Sequence, residues 1–191
     1  EFIICDDGST DGTLDLIRRL TYHDKRVIII KNEVNCGLAA SLNHCLEISK
    51  GEYIARMDAD DISELKRLEM QLKFLENNPQ YALVGSNVIL FDQNGEWGFR
   101  KVPEKPDKKC FLFGSPFVHP TILIRKNVLK NAGGYRVAKE TRRCEDYDLF
   151  MRLYALGYKG FNIQQPLFKY REDQKAYKRR KYKYRLDEAK V

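Results

Sequence analysis

Two clusters of carboxylates stand where short apolar runs end. Asp6, Asp7 and Asp11 follow Phe2-Ile3-Ile4-Cys5, and Asp58, Asp60 and Asp61 follow Tyr53-Ile54-Ala55-Arg56-Met57. Like charges held together repel and need a counter-charge. Two such clusters at strand ends predict a bound cation and a polar ligand. The carboxyl edge of an open α/β sheet is where such ligands bind.

Apolar runs alternate with amphipathic stretches through the first half. Phe2–Cys5 reads as a buried strand and Gly12–Tyr22 as a helix with Leu14, Ile17 and Leu20 at helical spacing, capped by Ser9 or Thr10. Val27–Ile30 is a β-branched strand, Leu38–Ile48 a helix stopped at Lys50-Gly51, and Tyr53–Met57 a strand. Glu64–Asn77 reads as a helix with an apolar face of Leu65, Leu68, Leu72 and Leu75, closed before Pro79. This rhythm predicts a mixed, mostly parallel sheet flanked by helices. Further on, Ala82–Phe91 and Glu96–Val102 flank Asp92-Gln93-Asn94-Gly95, a hairpin signal. Thr121–Ile124 reads as a strand, Tyr147–Leu156 as a helix, and Phe161–Ile163 and Leu167–Tyr170 as two short strands.

A chain of 191 residues suffices for one core. No apolar run approaches the ~20 residues that span a bilayer. The five cysteines form no C-x-x-C pair, which points to neither a zinc site nor a disulfide framework and fits a cytoplasmic protein. The net charge of +7 is local: residues 175–185 hold seven of the 34 Lys and Arg, leaving 27 against 27 Asp and Glu. A formally neutral body argues against nucleic acid as a partner.

Asp58 and Asp60 are two residues apart, so on an extended segment they share a face. Two hard oxygen ligands suit Mg²⁺ or Mn²⁺ with positions open for substrate phosphates. Acids that merely open the following helix would give the same pattern, and the motif alone leaves both readings open. In the first cluster, a carboxylate can accept from an imide N–H such as that of uracil, and Gly8, Ser9 and Thr10 allow close backbone approach. A turn with a helix cap is the alternative there. Glu145 and Asp146 likewise fit either a general base or first-turn helix acids.

Five segments together resemble family 2 glycosyltransferases. They are Asp6-Asp7-Gly8-Ser9-Thr10-Asp11-Gly12-Thr13; Asn35-Cys36-Gly37-Leu38-Ala39-Ala40-Ser41-Leu42-Asn43; Met57-Asp58-Ala59-Asp60-Asp61; Val118-His119-Pro120-Thr121 with Gly133-Gly134-Tyr135; and Glu145-Asp146-Tyr147-Asp148-Leu149. Order and spacing match along residues 2–171. The resemblance implies a GT-A fold over 1–171, a nucleotide-diphospho-sugar donor, Mn²⁺ or Mg²⁺, and inversion at the anomeric carbon. By motif position, Asp7 would contact the base, most often uracil, with Asp6, Ser9 and Asp11 around it and Asn35 and Gly37 in a donor-side loop. Asp58 and Ala59 would approach the ribose and sugar phosphate, and Asp60 would bind the metal. Asp146 would be the base with Glu145 beside it, and His119, Gly134 and Tyr135 would lie on the acceptor side. The acceptor would be a hydroxyl of a glycan or lipid-linked glycan.

Two departures from the family pattern are visible. Members usually begin with one more strand and helix, carrying a P-x-Y-N-like segment. This sequence opens at what would be the second strand, roughly 30 residues or one β-α unit later. A histidine that often follows the late Tyr-Arg is absent after Tyr170-Arg171, where Arg171 could take its part. The first departure motivates a second reading, a non-catalytic nucleotide-sugar-binding remnant. A phosphatase using D-x-D would need Thr or Val where Ile62 stands, and no G-x-G-x-x-G follows a strand. Residues 172–191 read as a basic tail, either solvated or resting peripherally on an anionic membrane.

Overall fold

The computed structural model describes residues 1–173. The basic run 175–185 lies outside them.

The chain runs β1 (Phe2–Asp6), α1 (Thr13–Thr21), β2 (Val27–Lys31), α2 (Leu38–Ile48), β3 (Tyr53–Ala55), β4 (Ile62–Ser63), α3 (Arg67–Asn77), β5 (Leu83–Asp92) and β6 (Gly95–Arg100). Two 3₁₀ turns, Lys108–Phe113 and His119–Thr121, lead to β7 (Leu123–Arg125), α4 (Lys126–Asn131), α5 (Glu145–Ala155) and β8 (Gly160–Arg171). The expected mixed sheet with flanking helices is present. β1–β2 and β5–β8, which include the longest pairing, run parallel, while β3–β7, β4–β8, β5–β6 and β5–β7 pair antiparallel over shorter stretches. The strand–helix rhythm that suggests parallel pairing ends at α3. From there the hairpin β5–β6 and the returning β7 reverse the chain direction.

β1 and β2 form a sheet of their own, and the other six strands form a second one in the order β3-β7-β5-β8-β4, with β6 on β5. β5 is central and almost wholly buried. The main core lies between this sheet and helices α2, α4 and α5, with Leu83, Ile122, Ile124, Leu149, Phe150 and Leu153 essentially inaccessible. β1 is not the buried strand expected: Phe2 is exposed and of its five residues only Asp6 is buried. Helix α1 likewise buries no residue fully, and Leu20 faces solvent. Its start lacks a side-chain cap; neither Ser9 nor Thr10 serves, and instead Asp11 accepts from Thr13 N at 3.0 Å.

Helix α3 shows the largest difference from the sequence expectation. Leu65 is fully exposed, Leu68 and Leu72 are accessible, and of the four leucines only Leu75 is buried. The inward face carries Arg67 and Gln71 instead. Arg67 Nη2 donates to Arg56 O at 2.7 Å and its Nε to Gln71 Oε1 at 3.2 Å, and Gln71 Nε2 donates to Thr121 O at 2.7 Å. The Arg67 guanidinium also lies 4.9 Å from the centre of the Phe168 ring. Burial is tolerated because Arg67 and Gln71 bond each other and backbone carbonyls, and the guanidinium lies against an aromatic face. Burial still lowers the Arg67 pKa to about 10. The two short strands expected at 161–170 are one strand, β8, whose register against β5 shifts around Asn87.

Candidate active site

β3 ends at Ala55, and the chain then crosses the sheet edge as the loop 56–61. Arg56 is buried, and its Nη1 donates to Asp58 Oδ2 at 2.6 Å; the second guanidinium nitrogen reaches Oδ1, so the pair is bidentate. Arg56 Nε is buried without a hydrogen-bond partner. The other end of the loop is held by β8. Arg171 N donates to Asp61 Oδ1 at 2.7 Å, and Arg171 Nε donates to Asp60 O at 3.0 Å. Asp61 Oδ2 is buried and unpartnered. Burial pushes its pKa to about 6, and the neighbouring Asp58 and Asp60 add to the rise.

Beside this loop lies a cleft of ≈ 1120 Å³. Arg56, Asp58, His119, Glu145, Asp146 and Arg171 line it, together with Leu38 and the turn 111–115. Glu145 and Asp146 open α5, as the alternative reading of helix acids also required; the helix start therefore serves both readings. Asp148 anchors that helix. It is buried and pairs with Arg152 at 2.7 Å, and Arg152 Nη2 in turn donates to Gly134 O at 2.9 Å. Burial raises the Asp146 pKa above its ordinary value, with Glu145 adding to the rise; the first-turn N–H groups and Arg56 oppose it.

His119 is buried at the back of this cleft, with Nε2 2.8 Å from Tyr135 Oη. Burial holds its pKa well below the usual value, and the charge of Arg56 acts in the same direction, so the ring is neutral. Gly134 and Tyr135 stand behind the wall. Asn43 clamps them: its Nδ2 donates to Tyr135 O at 2.8 Å and its Oδ1 accepts from Tyr135 N at 2.9 Å. Gly134 has φ +67°, and a Cβ there would sit 2.6 Å from Asn43 Oδ1. Gly134→Ala is therefore expected to lower unfolding free energy by about 1–3 kcal/mol, read from the urea midpoint. An unchanged midpoint would show that the clamp relaxes freely.

The first acidic cluster forms a separate constellation. Asp7 Oδ1 accepts from Asn32 Nδ2 and Cys36 N, and Oδ2 from Gly37 N, each at 2.8 Å. Burial would raise its pKa, but these hydrogen bonds outweigh it and hold the carboxyl below its ordinary value. Gly37, at φ +87°, starts α2, and the next residue, Leu38, reaches the cleft. Asp7 thus fixes the Asn35–Gly37 loop one residue behind the cleft wall. Asp6 Oδ1 accepts from Ser9 N at 3.1 Å, and its Oδ2 is buried without a partner. Asp11 is exposed, as are Ser9 and Asn35. Ala59 and Asp60 are exposed on the loop; of the D-x-D carboxylates, Asp58 is the one on the cleft wall.

Sequence reasoning missed Arg56, Asn32 and Arg67. Arg56 precedes Asp58 by two residues at a strand end, which is the one local signal that could have paired them. Among the described residues no three His, Cys, Asp or Glu side chains converge as a ready metal cage. The acidic loop instead fits an ion that takes one or two carboxylates and completes its shell from substrate phosphates and water.

The mixed sheet with its flanking helices has the GT-A fold of solved glycosyltransferases. Solved structures support this fold. The chain superimposes with TM-score 0.70 on a mannosyltransferase from Pyrobaculum calidifontis in complex with GDP-Man and Mn²⁺, at 17% identity, covering 99% of this chain and 51% of that one. It superimposes with TM-score 0.67 on S. aureus TarS 1-349 in complex with UDP-GlcNAc, at 19% identity, covering 91% and 50%.

Residues 1–133 match the family model of glycosyl transferase family 2, and the chain belongs to that family of transferases. It is 45% identical over 190 residues to "Putative glycosyltransferase EpsE" of Bacillus subtilis (strain 168), covering 99% of this chain and 68% of that protein. It is 34% identical over 198 residues to an Escherichia coli protein named UDP-Gal:alpha-D-GlcNAc-diphosphoundecaprenol beta-1,3-galactosyltransferase, covering 100% and 70%. The chain spans 59% of a Methanocaldococcus jannaschii relative and about half of the solved structures.

Proposed function

We propose that this chain transfers a sugar, with inversion, from a UDP-sugar to a hydroxyl of a glycan or lipid-linked glycan, with Mn²⁺ or Mg²⁺ as cofactor. The observation that carries the reading is Asp146. It is a half-buried carboxylate, its pKa raised, on the wall of the cleft that Asp58 also lines. A raised pKa makes it a stronger base toward an acceptor hydroxyl, which must lose its proton as the new bond forms. Glu145 beside it adds negative charge that favours the proton's arrival.

On the donor side, Asp58 and Ala59 meet the ribose and sugar phosphate, and Asp60 is the protein's metal ligand. An ion held there would neutralise charge on the departing diphosphate. Arg56 pairs with Asp58 and fixes it in place, and Arg171 holds the backbone of the acidic loop. Asp7, held ionised by its bonds to the loop, stands beside the base, and Asp6, Ser9, Asp11, Asn35 and Gly37 shape the pocket around it. His119, supported by Tyr135 and Gly134, gives the acceptor side a neutral ring. The names of the UDP-dependent Escherichia coli relatives, which act on diphosphoundecaprenol-linked sugars, support the choice of donor and acceptor class.

The test is calorimetric titration of UDP with and without Mn²⁺. Metal-dependent binding is expected, and Asp60→Ala should abolish that dependence. Unchanged titrations in the variant would remove Asp60 from the metal site. Binding of UDP with no transfer from any UDP-sugar would favour the remnant reading.

A further inference from the structure

The turn Lys108–Phe113 forms one lip of the cleft and presents two apolar side chains to solvent. Leu112 is 80% exposed and Phe113 92%. The turn is firmly rooted despite this. Phe111 is buried against Tyr154 at 5.0 Å, and its carbonyl accepts from Tyr147 Oη at 2.5 Å. Asp107 caps the first turn, accepting from Lys109 N at 2.9 Å and Cys110 N at 3.2 Å. The exposure is thus built into an ordered element, where Leu112 and Phe113 occupy its tip.

The turn itself carries an excess of positive charge. Lys105, Lys108 and Lys109 are all exposed, and the one acid among residues 105–114, Asp107, is spent on the cap. Across the cleft, Arg143 lines the same opening with Arg142 exposed beside it, while Glu145, Asp146, Glu172 and Asp173 make that wall mixed in charge, so the basic excess lies on the turn. Two neighbouring side chains cannot supply the ~800 Å² that a protein partner needs on each side. They are enough to enter the headgroup region of a bilayer, where apolar insertion and basic residues act together and neither alone suffices.

We propose that the Leu112-Phe113 tip, with Lys105, Lys108 and Lys109, docks this protein on an anionic membrane surface with the cleft opening facing the lipid. The occupant is the bilayer itself. A lipid-linked acceptor would then reach the cleft without leaving the membrane. Vesicle binding requires neither donor nor transfer, so its failure leaves the transferase reading standing, and the converse also holds.

The test is co-sedimentation of the full chain with phosphatidylcholine vesicles, with and without phosphatidylglycerol. Binding is expected only with the anionic lipid and should weaken as salt rises. The Leu112→Ser/Phe113→Ser double variant should bind about tenfold or more weakly, because membrane affinity scales with the apolar area inserted. Lys108→Glu/Lys109→Glu should lose a similar factor. Both variants change exposed residues and leave 175–185 intact; circular dichroism should show them folded. If the serine variant binds as the parent does, the basic run 175–185 carries the contact and the proposal fails. Equal binding to both vesicle types, or none to either, overturns it as well.

Discussion

Asp146→Asn is expected to cut turnover by about 10²–10⁴-fold, the range a positioned general base contributes, with little change in UDP affinity. The substitution keeps the shape and the start of α5 but removes the group that accepts the proton. Donor contacts in the proposed site come from the acidic loop and from the Asp7 constellation, so UDP titration should be spared. The pH profile supplies a second readout. Burial first, and Glu145 second, raise the Asp146 pKa, with Arg56 pulling it back. The acid limb of kcat/KM should therefore fall at a higher pH than for an ordinary carboxylate. The same shift has a stability sign. A carboxyl whose pKa is higher in the folded state holds its proton there while the unfolded chain has lost it. Stability from this group is therefore present at low pH and declines as pH rises from the unfolded to the folded pKa. Full transfer by Asp146→Asn would remove Asp146 from the role of base.

Much of this arrangement was legible in the sequence, and the failures share one cause. Strand ends followed by acids located the loop 56–61 and the Asp6–Asp7 turn, because carboxylates after an apolar run have few structural explanations. The hairpin at Asp92–Gly95 and helix Leu38–Ile48 followed from turn chemistry and period. Helix α3 did not, because the period of its leucines is real but points outward. What turns the helix is a buried polar chain, Arg67–Gln71, that binds the carbonyls of Arg56 and Thr121. No local pattern marks Arg67 as buried when its carbonyl partners, Arg56 and Ile122, lie 11 and 55 residues away. The same holds for Asp7, whose partners Asn32, Cys36 and Gly37 lie 25 to 30 residues off. Motif position named Asp7 as a ligand group, whereas its loop-fixing bonds required the fold.

Asp58→Ala should destabilise the protein as well as weaken donor binding. The Arg56 side chain is 5% exposed and that of Asp58 34%. Truncating Asp58 strands the more buried partner, whose Nε already lacks a hydrogen bond. Removing one member of a buried pair costs about 3–5 kcal/mol; the access of water to Asp58 places the expectation at the lower end, about 3 kcal/mol in urea unfolding. Replacing both residues, as Arg56→Met with Asp58→Leu, removes the stranded charge and should recover most of that loss. Catalysis should not recover with it. Arg56 is the positive charge that counters the desolvation of Asp146, and its loss should move the acid limb of the rate profile further up in pH. A folded double variant with a displaced pH profile would separate the two duties of Arg56, holding the acidic loop and, with the first-turn N–H groups, limiting the rise in the Asp146 pKa. If Asp58→Ala is as stable as the parent, the ion pair does not hold the loop. In that case the network reaching Arg56 O from Arg67 must do so alone.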